Sequence, residues 1–240
     1  MRLDKVLANM GYGSRTDVKK LMKKGVVQVD GTTVKDGKTQ VNPDQQEILI
    51  NGELVQYKEN IYLMMNKPKG VISATEDYVE TTVVDLLEME DQIFDPFPVG
   101  RLDKDTEGLL LITNDGKLSH ELLSPKKKVG KKYWAKVNGK VSATDVQAFA
   151  KGVKLDDGYI TQPAVLNILS AGEVSEIELT IMEGKFHQVK RMFLATGKKV
   201  MELKRLQMGQ LHLDADLEPG EYRELADEEL SLLGRQDDSI

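Results

Sequence analysis

The sequence predicts an α+β protein in two parts. A small N-terminal domain of two helices and a small sheet is expected to precede a core built on a mixed, largely antiparallel sheet with flanking helices. Apolar residues recur at helical spacing near the N-terminus. From residue 61 onward, several segments alternate polar and apolar residues with a period of two, which is typical of strands with one solvated face. The domains are therefore predicted at residues 1–58 and 61–234.

The N-terminal part begins with two short helices. Leu3, Leu7 and Met10 lie at helical spacing, and Ser14 has the side chain of a helix N-cap, with Asp17 three residues later. Two strand pairs follow, each joined by a dipeptide that favours a hairpin turn. These dipeptides are Asp30-Gly31 and Asn51-Gly52.

Three segments of this part carry a resemblance. Residues 2–7, the Ser-Arg pair at 14–15 before a basic helix, and residues 25–31 together resemble the S4 RNA-binding domain family. The match spans about residues 1–50. The resemblance implies that the helix pair and the adjoining hairpin bind structured RNA. The basic residues expected to contact RNA here are Arg2, Lys5, Arg15, Lys19 and Lys20.

The larger part is predicted to contain more strand than helix. Strands are expected at residues 61–65, 108–113, 133–137 and 176–181. Helices are expected at residues 83–88, 117–123, 145–151, 187–196 and 227–233. A frayed tail is expected at residues 235–240.

Composition narrows the class of protein. The 240 residues include no cysteine, which excludes a disulfide scaffold, a thiolate metal site and a cysteine nucleophile. The three histidines are too scattered to predict a zinc site. No stretch approaches the ~18 uninterrupted apolar residues of a membrane span, and the N-terminus lacks the apolar segment of a signal peptide. We therefore expect a soluble, cytoplasmic protein with no membrane partner, whose chemistry comes from carboxylates, amines and hydroxyls.

The distribution of charge qualifies the net charge of −6, which by itself argues against a nucleic-acid partner. Lys and Arg outnumber Asp and Glu in residues 1–40, 126–140 and 183–209, with acidic segments between them. If folding brings these blocks together, they form a positive face that attracts a phosphate backbone. Charged runs are also typical of ordinary solvated surfaces, so the charge pattern alone leaves both interpretations open.

Residues 98–111 carry the strongest functional signal. A polar loop leads there into a buried strand, a placement that holds side chains rigidly at the edge of a cleft. An Asp in such a loop, here Asp103, is commonly a turn-former bonded to its own backbone, so loop placement leaves that role open beside a catalytic one. The whole pattern Gly-Arg-Leu-Asp-x-x-Thr-x-Gly at residues 100–108 resembles the catalytic motif of pseudouridine synthases. That family's chemistry requires the central Asp.

Two further segments match the same family in the expected order. The Lys-Pro loop at residues 66–70 resembles its first motif, and residues 183–193 resemble its third. The resemblance spans about residues 61–230. Three features are similar to the branch of the family that modifies ribosomal RNA. They are the S4-like domain, the Gly before Arg-Leu-Asp, and the segment Gln-Val-Lys-Arg-Met-Phe. Phe186-His187 resembles the small-subunit (16S) members more than the large-subunit (23S) members.

The resemblance implies a reaction and a set of site residues. The family cleaves the N-glycosidic bond of a uridine, turns the base and rejoins it through carbon 5, with no metal or redox cofactor. Asp103 would be the nucleophile, or the group that stabilises or deprotonates the sugar, and Lys185 its cationic partner where the family usually has Arg. Tyr133 would stack on the uracil, and Arg101 would fill the space that the extruded uridine leaves. Phosphate contacts are expected from Lys67, Lys190 and Arg191.

Other interpretations of these residues remain. Lys185 is also compatible with an ordinary exposed turn residue, and Tyr133 with a core aromatic. The carboxylates of Asp105, Asp115 and Glu183 raise the alternative of a glycosidase, although sequence spacing shows nothing about their separation. The function expected is a site-specific uridine isomerase acting on small-subunit ribosomal RNA as a monomer. The alternatives are a 23S enzyme of the same branch and an S4-type assembly factor that binds ribosomal RNA without catalysis.

Overall fold

The computed structural model describes residues 1–233, which form two compact units. The first comprises Met1–Ile61 and Glu88–Pro96, and the second comprises Tyr62–Leu87 and the described chain from Phe97 onward. Among residues 1–233, no helix has the length and apolar character needed to cross a membrane. The tail expected at residues 235–240 lies outside the described residues.

Within Met1–Ile61, the first unit contains two helices against a small antiparallel sheet, as predicted, and a third short helix comes from Glu88–Pro96. Ser14 caps the second helix, because its hydroxyl accepts a hydrogen bond from the Asp17 N–H and donates one to the Asp17 carboxylate at 2.5 Å. Leu3, Leu7 and Met22 are fully buried in the core between helices and sheet. The sheet order is β2-β1-β3-β4. The elements are α1 (Leu3–Asn9), α2 (Arg15–Lys23), β1 (Val27–Val29), β2 (Thr32–Thr33), β3 (Ile48–Ile50), β4 (Glu53–Leu54) and α3 (Met89–Gln92).

The second unit is built on a large mixed sheet. Its strands are β5 (Tyr62–Lys67), β6 (Phe97–Pro98), β7 (Glu107–Thr113), β8 (Lys131–Asn138), β9 (Val165–Ser170), β10 (Val174–Ile181), β11 (Lys199–Met208), β12 (Leu211–His212) and β13 (Tyr222–Glu224). Its helices are α4 (Gly116–Leu123), α5 (Ala143–Lys151), α6 (Gln188–Ala195) and α7 (Asp227–Leu232), with a 3-10 turn at Pro125–Lys127.

Strand order in this sheet confirms the predicted mixed, largely antiparallel architecture. The main path runs β13-β5-β7-β11-β8-β10-β9, while β6 pairs with β7 and β12 with β11. Among the strand pairs of the described residues, β7 and β11 alone run parallel. The strand β5, between β13 and β7, is buried along its whole length, whereas β10 alternates buried and partly exposed residues. On one face, the rings of Phe149 and Phe193 pack α5 against α6 at 4.9 Å, each ring burying apolar area worth ~2–3 kcal/mol.

Two element predictions need correction. The helix expected at residues 83–88 is absent, and the helix there is α3, which begins at Met89. The Asp85 carboxylate accepts hydrogen bonds from the backbone and hydroxyl of Thr82, which holds the segment in a turn while Val83 and Leu87 are buried as loop anchors. The strand β11 was not predicted, because register shifts between Val200 and Glu202 and between Arg205 and Gln207 interrupt its alternation.

Candidate active site

The loop between β6 and β7 is held rigidly by backbone and side-chain hydrogen bonds. The Ser73 hydroxyl accepts from the Leu102 N–H and donates to the Leu102 carbonyl, both at 3.0 Å. The Gly70 N–H donates to the Lys104 carbonyl at 2.8 Å, and the Thr106 N–H to the Asp103 carbonyl at 3.0 Å. These hydrogen bonds therefore hold the backbone of Asp103 in a fixed position.

Asp103 carries the functional carboxylate of this loop, and Lys190 is its cationic partner. The Lys190 ammonium lies 2.8 Å from Asp103 Oδ2 and 2.5 Å from Asp105 Oδ1, and His187 Nε2 lies 3.5 Å from Asp103 Oδ1. Burial by itself lowers the pKa of Lys190, but the hydrogen bonds to the two carboxylates outweigh burial and raise that pKa. Lys190 is therefore cationic at neutral pH and lies as a positive charge beside the Asp103 carboxylate.

The ion pair expected between Lys185 and Asp103 is made by Lys190 instead. The Lys185 ammonium lies 4.9 Å from the centre of the Tyr159 ring, in a cation–π contact. Its segment is fixed by Glu183, whose carboxylate accepts from the Tyr159 hydroxyl at 2.6 Å and from the Gln188 side chain at 2.8 Å. Glu183 thus organises the loop before α6, and Lys190, one turn into that helix, reaches Asp103.

Tyr133 lies on the sheet beneath this loop. It is buried on β8, directly opposite Arg205 of β11 and Leu179 of β10. Residues directly opposite in an antiparallel pair point to the same face of the sheet. The phenol ring and the Arg205 side chain are therefore neighbours on one face.

A single cavity of about 610 Å³ joins these groups. Its volume falls within the ~300–1,000 Å³ of small-molecule sites. The lining includes six polar side chains of the site, of which five were predicted from sequence as site residues, while Arg205 was noted only as part of a motif. The polar lining residues that matter are Arg101, Asp103, Tyr133, Lys185, Lys190 and Arg205.

Comparison with known proteins gives the family. The sequence pattern described as RNA pseudouridylate synthase matches residues 61–195, and that of the S4 domain matches residues 1–47. The chain is 56% identical over 234 residues to the protein named uncharacterized RNA pseudouridine synthase YtzG of Bacillus subtilis (strain 168), covering 97% of this chain and 98% of that protein. The chain belongs to the RNA pseudouridine synthase family.

Further relatives agree with this assignment. The synthase is 39% identical over 232 residues to ribosomal small subunit pseudouridine synthase A of Escherichia coli (strain K12), covering 96% of this chain and 99% of that protein. A crystal structure of a pseudouridylate synthase matches with a TM-score of 0.69 and 36% identity, covering 97% of this chain and 99% of the other. The predicted family is confirmed, and the protein is an RNA pseudouridine synthase, an isomerase.

Five predicted RNA contacts have partners within the protein, and Lys190, paired with Asp103 and Asp105, is one of them. The Arg191 guanidinium binds the carboxylates of Asp156 and Asp157. Arg2 pairs with the fully buried Asp4 at 2.6 Å, and this guanidinium lowers the pKa of Asp4. Lys5, Arg15 and Lys19 are exposed in the N-terminal unit, and Lys20 is exposed but pairs with Asp17 at 3.1 Å.

Lys67, also predicted as a phosphate contact, is turned into the fold by carbonyl partners of its own chain. The side chain is fully buried, and its ammonium donates to the carbonyls of Pro68, Asp103 and Thr106 at 2.9, 3.1 and 2.9 Å. Three ammonium hydrogens thus meet three carbonyl oxygens. Lys67 ties the end of β5 to the loop that carries Asp103.

The stability that Lys67 contributes is expected to rise with pH. Burial lowers the pKa of Lys67 to about 8, and nearby carboxylates offset only part of that effect. The unfolded chain keeps this group protonated up to its ordinary pKa near 10.5, so between pH 8 and 10.5 the unfolded state binds more protons than the folded state. The unfolding free energy of the wild type minus that of Lys67→Met should therefore increase, by at most ~1.4 kcal/mol per pH unit. Urea titrations of both proteins at pH 7, 8, 9 and 10 measure it, and a constant or shrinking difference would contradict the prediction.

Proposed function

We propose that this synthase isomerises a specific uridine of ribosomal RNA, and that the RNA is the 16S RNA of the small subunit. The observation that carries the proposal is the Asp103 carboxylate, 29% exposed at the cavity and paired with Lys190 beside Tyr133. The choice of RNA is supported by relatives at 38–41% identity over nearly the full chain that are named ribosomal small subunit pseudouridine synthase A. A ribosomal RNA substrate implies that the enzyme acts in the cytoplasm.

The cavity suits a nucleotide taken out of the RNA stack. An enzyme cannot reach the glycosidic bond of a stacked base, so the target uridine must be extruded into a pocket. Arg101 is exposed at the cavity, and we assign it to the space that the uridine vacates. We further propose that the enzyme acts as a monomer.

In this proposal Asp103 acts on the sugar. The carboxylate lies beside the Lys190 ammonium and is held by a rigid loop at the wall of the cavity. It can attack carbon 1′ of the ribose or remove a ribose proton, and both routes break the bond between carbon 1′ and N1 of uracil. Tyr133 offers a flat ring with a polar tip on which the released uracil can stack while it turns.

The direct test is tritium release. Uridine labelled at carbon 5 loses its tritium when that carbon bonds to the ribose, so 16S RNA transcribed with [5-³H]uridine should release label equivalent to one uridine per molecule. Transcripts of 23S RNA are the matched control and should release none. Mapping of pseudouridine in the 16S product then identifies the position.

Other outcomes separate the alternatives. Release from 23S RNA alone would replace the proposed substrate with that of the sister branch. Tight binding of 16S RNA or of small-subunit particles with no release from any ribosomal RNA would indicate an assembly factor. Release from particles but not from naked RNA would keep the proposal and define the form of the substrate.

The exposed cations of the S4 unit are expected to contribute salt-dependent RNA binding. Arg15 and Lys19 lie on α2 with exposed side chains. Each phosphate contact that is lost should reduce the slope of log K against log salt concentration by ~0.7–0.9. Arg15→Gln/Lys19→Gln should therefore weaken binding of 16S RNA and lower that slope by about 1.5 in filter binding. The matched control is Lys151→Gln/Lys154→Gln, which removes the same charge from exposed residues of the second unit. Equal slopes for both double variants would refute the role assigned to α2.

A further inference from the structure

Arg205 has a buried hydrogen-bond donor that the folded chain does not satisfy. Its side chain is 2% exposed, and Nε donates to the Leu109 carbonyl at 2.7 Å. Nη2 is buried and has no hydrogen-bond partner among residues 1–233. A buried unpaired donor costs about 1–3 kcal/mol, and more when the group is charged. A protein retains such a group where something outside the folded chain satisfies it.

The charge of Arg205 is also uncompensated. Within the described part of the chain, Arg205 is absent from the ion pairs, and the nearest carboxylate of the site, Asp103, is bound by Lys190. Lys131, on the same face of the sheet, lines the same cavity, and its pKa is lowered by burial and then by the charge of Arg205. This wall of the cavity therefore holds two cations, and a ligand with partial or full negative charge would lower their energy.

The position of Arg205 defines which part of a nucleotide it can reach. Arg205 and Tyr133 are directly opposite on β11 and β8, so their Cβ atoms are about 5 Å apart on one face of the sheet. Both residues line the cavity with Asp103. A uracil stacked on the Tyr133 ring would turn one edge towards the Arg205 guanidinium. The acceptors on the edges of uracil are its two carbonyl oxygens, O2 and O4.

We propose that the Arg205 guanidinium donates a hydrogen bond to a carbonyl oxygen of the target uracil and stabilises the uracil anion. The inference rests on the proposed function, because it needs a uridine in the cavity. When the bond between N1 and carbon 1′ breaks, its electron pair stays on uracil and spreads over N1, O2 and O4. Carbon 5 then bonds to carbon 1′, carbon 5 loses its proton to a base, and N1 gains a proton, so the product is an isomer of the substrate.

This arrangement predicts an effect on chemistry rather than on RNA affinity. A phosphate carries the same charge throughout the reaction, so a phosphate contact would strengthen binding of substrate and transition state alike. A uracil carbonyl gains negative charge only as the glycosidic bond breaks. A buried donor aimed at that oxygen therefore accelerates bond cleavage, and removal of one such donor typically slows a reaction ~10²–10³-fold.

The test compares Arg205→Gln, Arg205→Lys and a matched control in single-turnover tritium release. Lys204→Gln is the control, since it removes a cation from the adjacent β11 residue, which points to the opposite face. Arg205→Gln should slow release about 10²-fold while the Kd for RNA changes less than about threefold. Arg205→Lys should recover part of the rate, and Lys204→Gln should keep all of it.

Sulfur substitution in the RNA identifies the oxygen. Sulfur accepts hydrogen bonds poorly, so 2-thiouridine or 4-thiouridine at the target should slow the wild type at whichever position Arg205 contacts. The same substitution should have little further effect on Arg205→Gln. Equal slowing of wild type and variant by both analogues would show that Arg205 contacts neither carbonyl.

Three results would overturn the proposal. If Arg205→Gln unfolds at the same temperature as the wild type and releases tritium at the same rate, Arg205 has no role in the chemical step. Weakened binding with an unchanged single-turnover rate would instead indicate a phosphate contact. If neither Arg205 variant folds, as judged by thermal unfolding, the residue is structural. The assay uses whichever cellular RNA the wild type modifies. If 16S RNA is not the substrate, the wild type itself releases no tritium from it. If the inference about Arg205 is wrong, the wild type is active and only the results with the variants differ from those expected.

Discussion

Asp103→Asn is expected to abolish pseudouridine formation while leaving the fold and RNA binding intact. The asparagine side chain has the size and shape of the carboxylate, and its oxygen still accepts a hydrogen bond from Lys190. It carries no charge, so it can neither attack carbon 1′ nor take a proton from the ribose. Loss of an essential catalytic carboxylate typically lowers a rate on the order of 10⁴-fold. Single-turnover tritium release from labelled 16S RNA should therefore fall to background.

Asp105→Asn is the matched control for that experiment. Asp105 pairs with the same Lys190 ammonium but is 71% exposed, and the change in charge and shape is identical. It should keep most of the rate, because Asp103 would still be held by Lys190 at the cavity wall. Comparable losses in both variants would mean that the negative charge beside Lys190 matters more than the position of one carboxylate. Activity retained in Asp103→Asn would remove the catalytic role altogether.

The sequence motifs located the catalytic loop because that loop is local. Residues 100–108 contain the turn, the carboxylate and the entry into β7, and the hydrogen bond from Thr106 N–H to the Asp103 carbonyl closes the turn within the motif. The two-helix N-terminal unit was predictable for the same reason, since Ser14 and Asp17 form its cap within four residues. Structural features formed by residues that are close together in the sequence could be predicted from the sequence.

The identity of the cation beside Asp103 could not be read in that way. Lys185 and Lys190 are five residues apart in one motif, and the choice between them depends on where α6 begins and which side of it faces the loop. Glu183 and Gln188 fix that start through hydrogen bonds, and the left-handed backbone of His187, with φ of +48°, turns the chain into the helix. These contacts determine the orientation of α6, which the spacing of residues in the sequence does not define.

The role of a basic residue likewise depends on what folding places around it. Lys67 lies in the first family motif and Arg191 in the third, yet Lys67 is buried beneath the loop and Arg191 is paired with Asp156 and Asp157. Their partners lie up to 39 residues away in sequence. Arg205 shows the converse, because its importance follows from a missing partner, which only the folded chain can reveal.

Gly108→Ala is expected to destabilise the catalytic unit more than any other single methyl addition at its glycines. Gly108 has φ of +106°, and a Cβ built there would lie 2.2 Å from the Arg205 carbonyl oxygen and 2.7 Å from the Arg205 nitrogen. Both atoms belong to the backbone of β11, which is paired in parallel with β7 at this residue and the one before it. Neither atom can rotate away, so a methyl group must separate the two strands. We expect a loss of more than ~4 kcal/mol, a size reached only by severe steric or buried polar defects.

Gly158→Ala separates the clash from the cost of the backbone conformation. Gly158 also has positive φ, +86°, but a Cβ there meets no atom within 4 Å, so its variant should lose only the ~1–2 kcal/mol of a left-handed alanine. Urea unfolding at constant m-value measures both losses, and equal losses would show that β7 and β11 can move apart freely.

The expected difference in stability has a consequence for activity. Gly108 follows Thr106 and Asp103 in the chain and lies against the Arg205 backbone. The close approach of the two strands at this glycine therefore sets the spacing between the loop that carries Asp103 and the strand that carries Arg205. A partly folded Gly108→Ala should therefore lose its rate of tritium release more steeply than its RNA affinity.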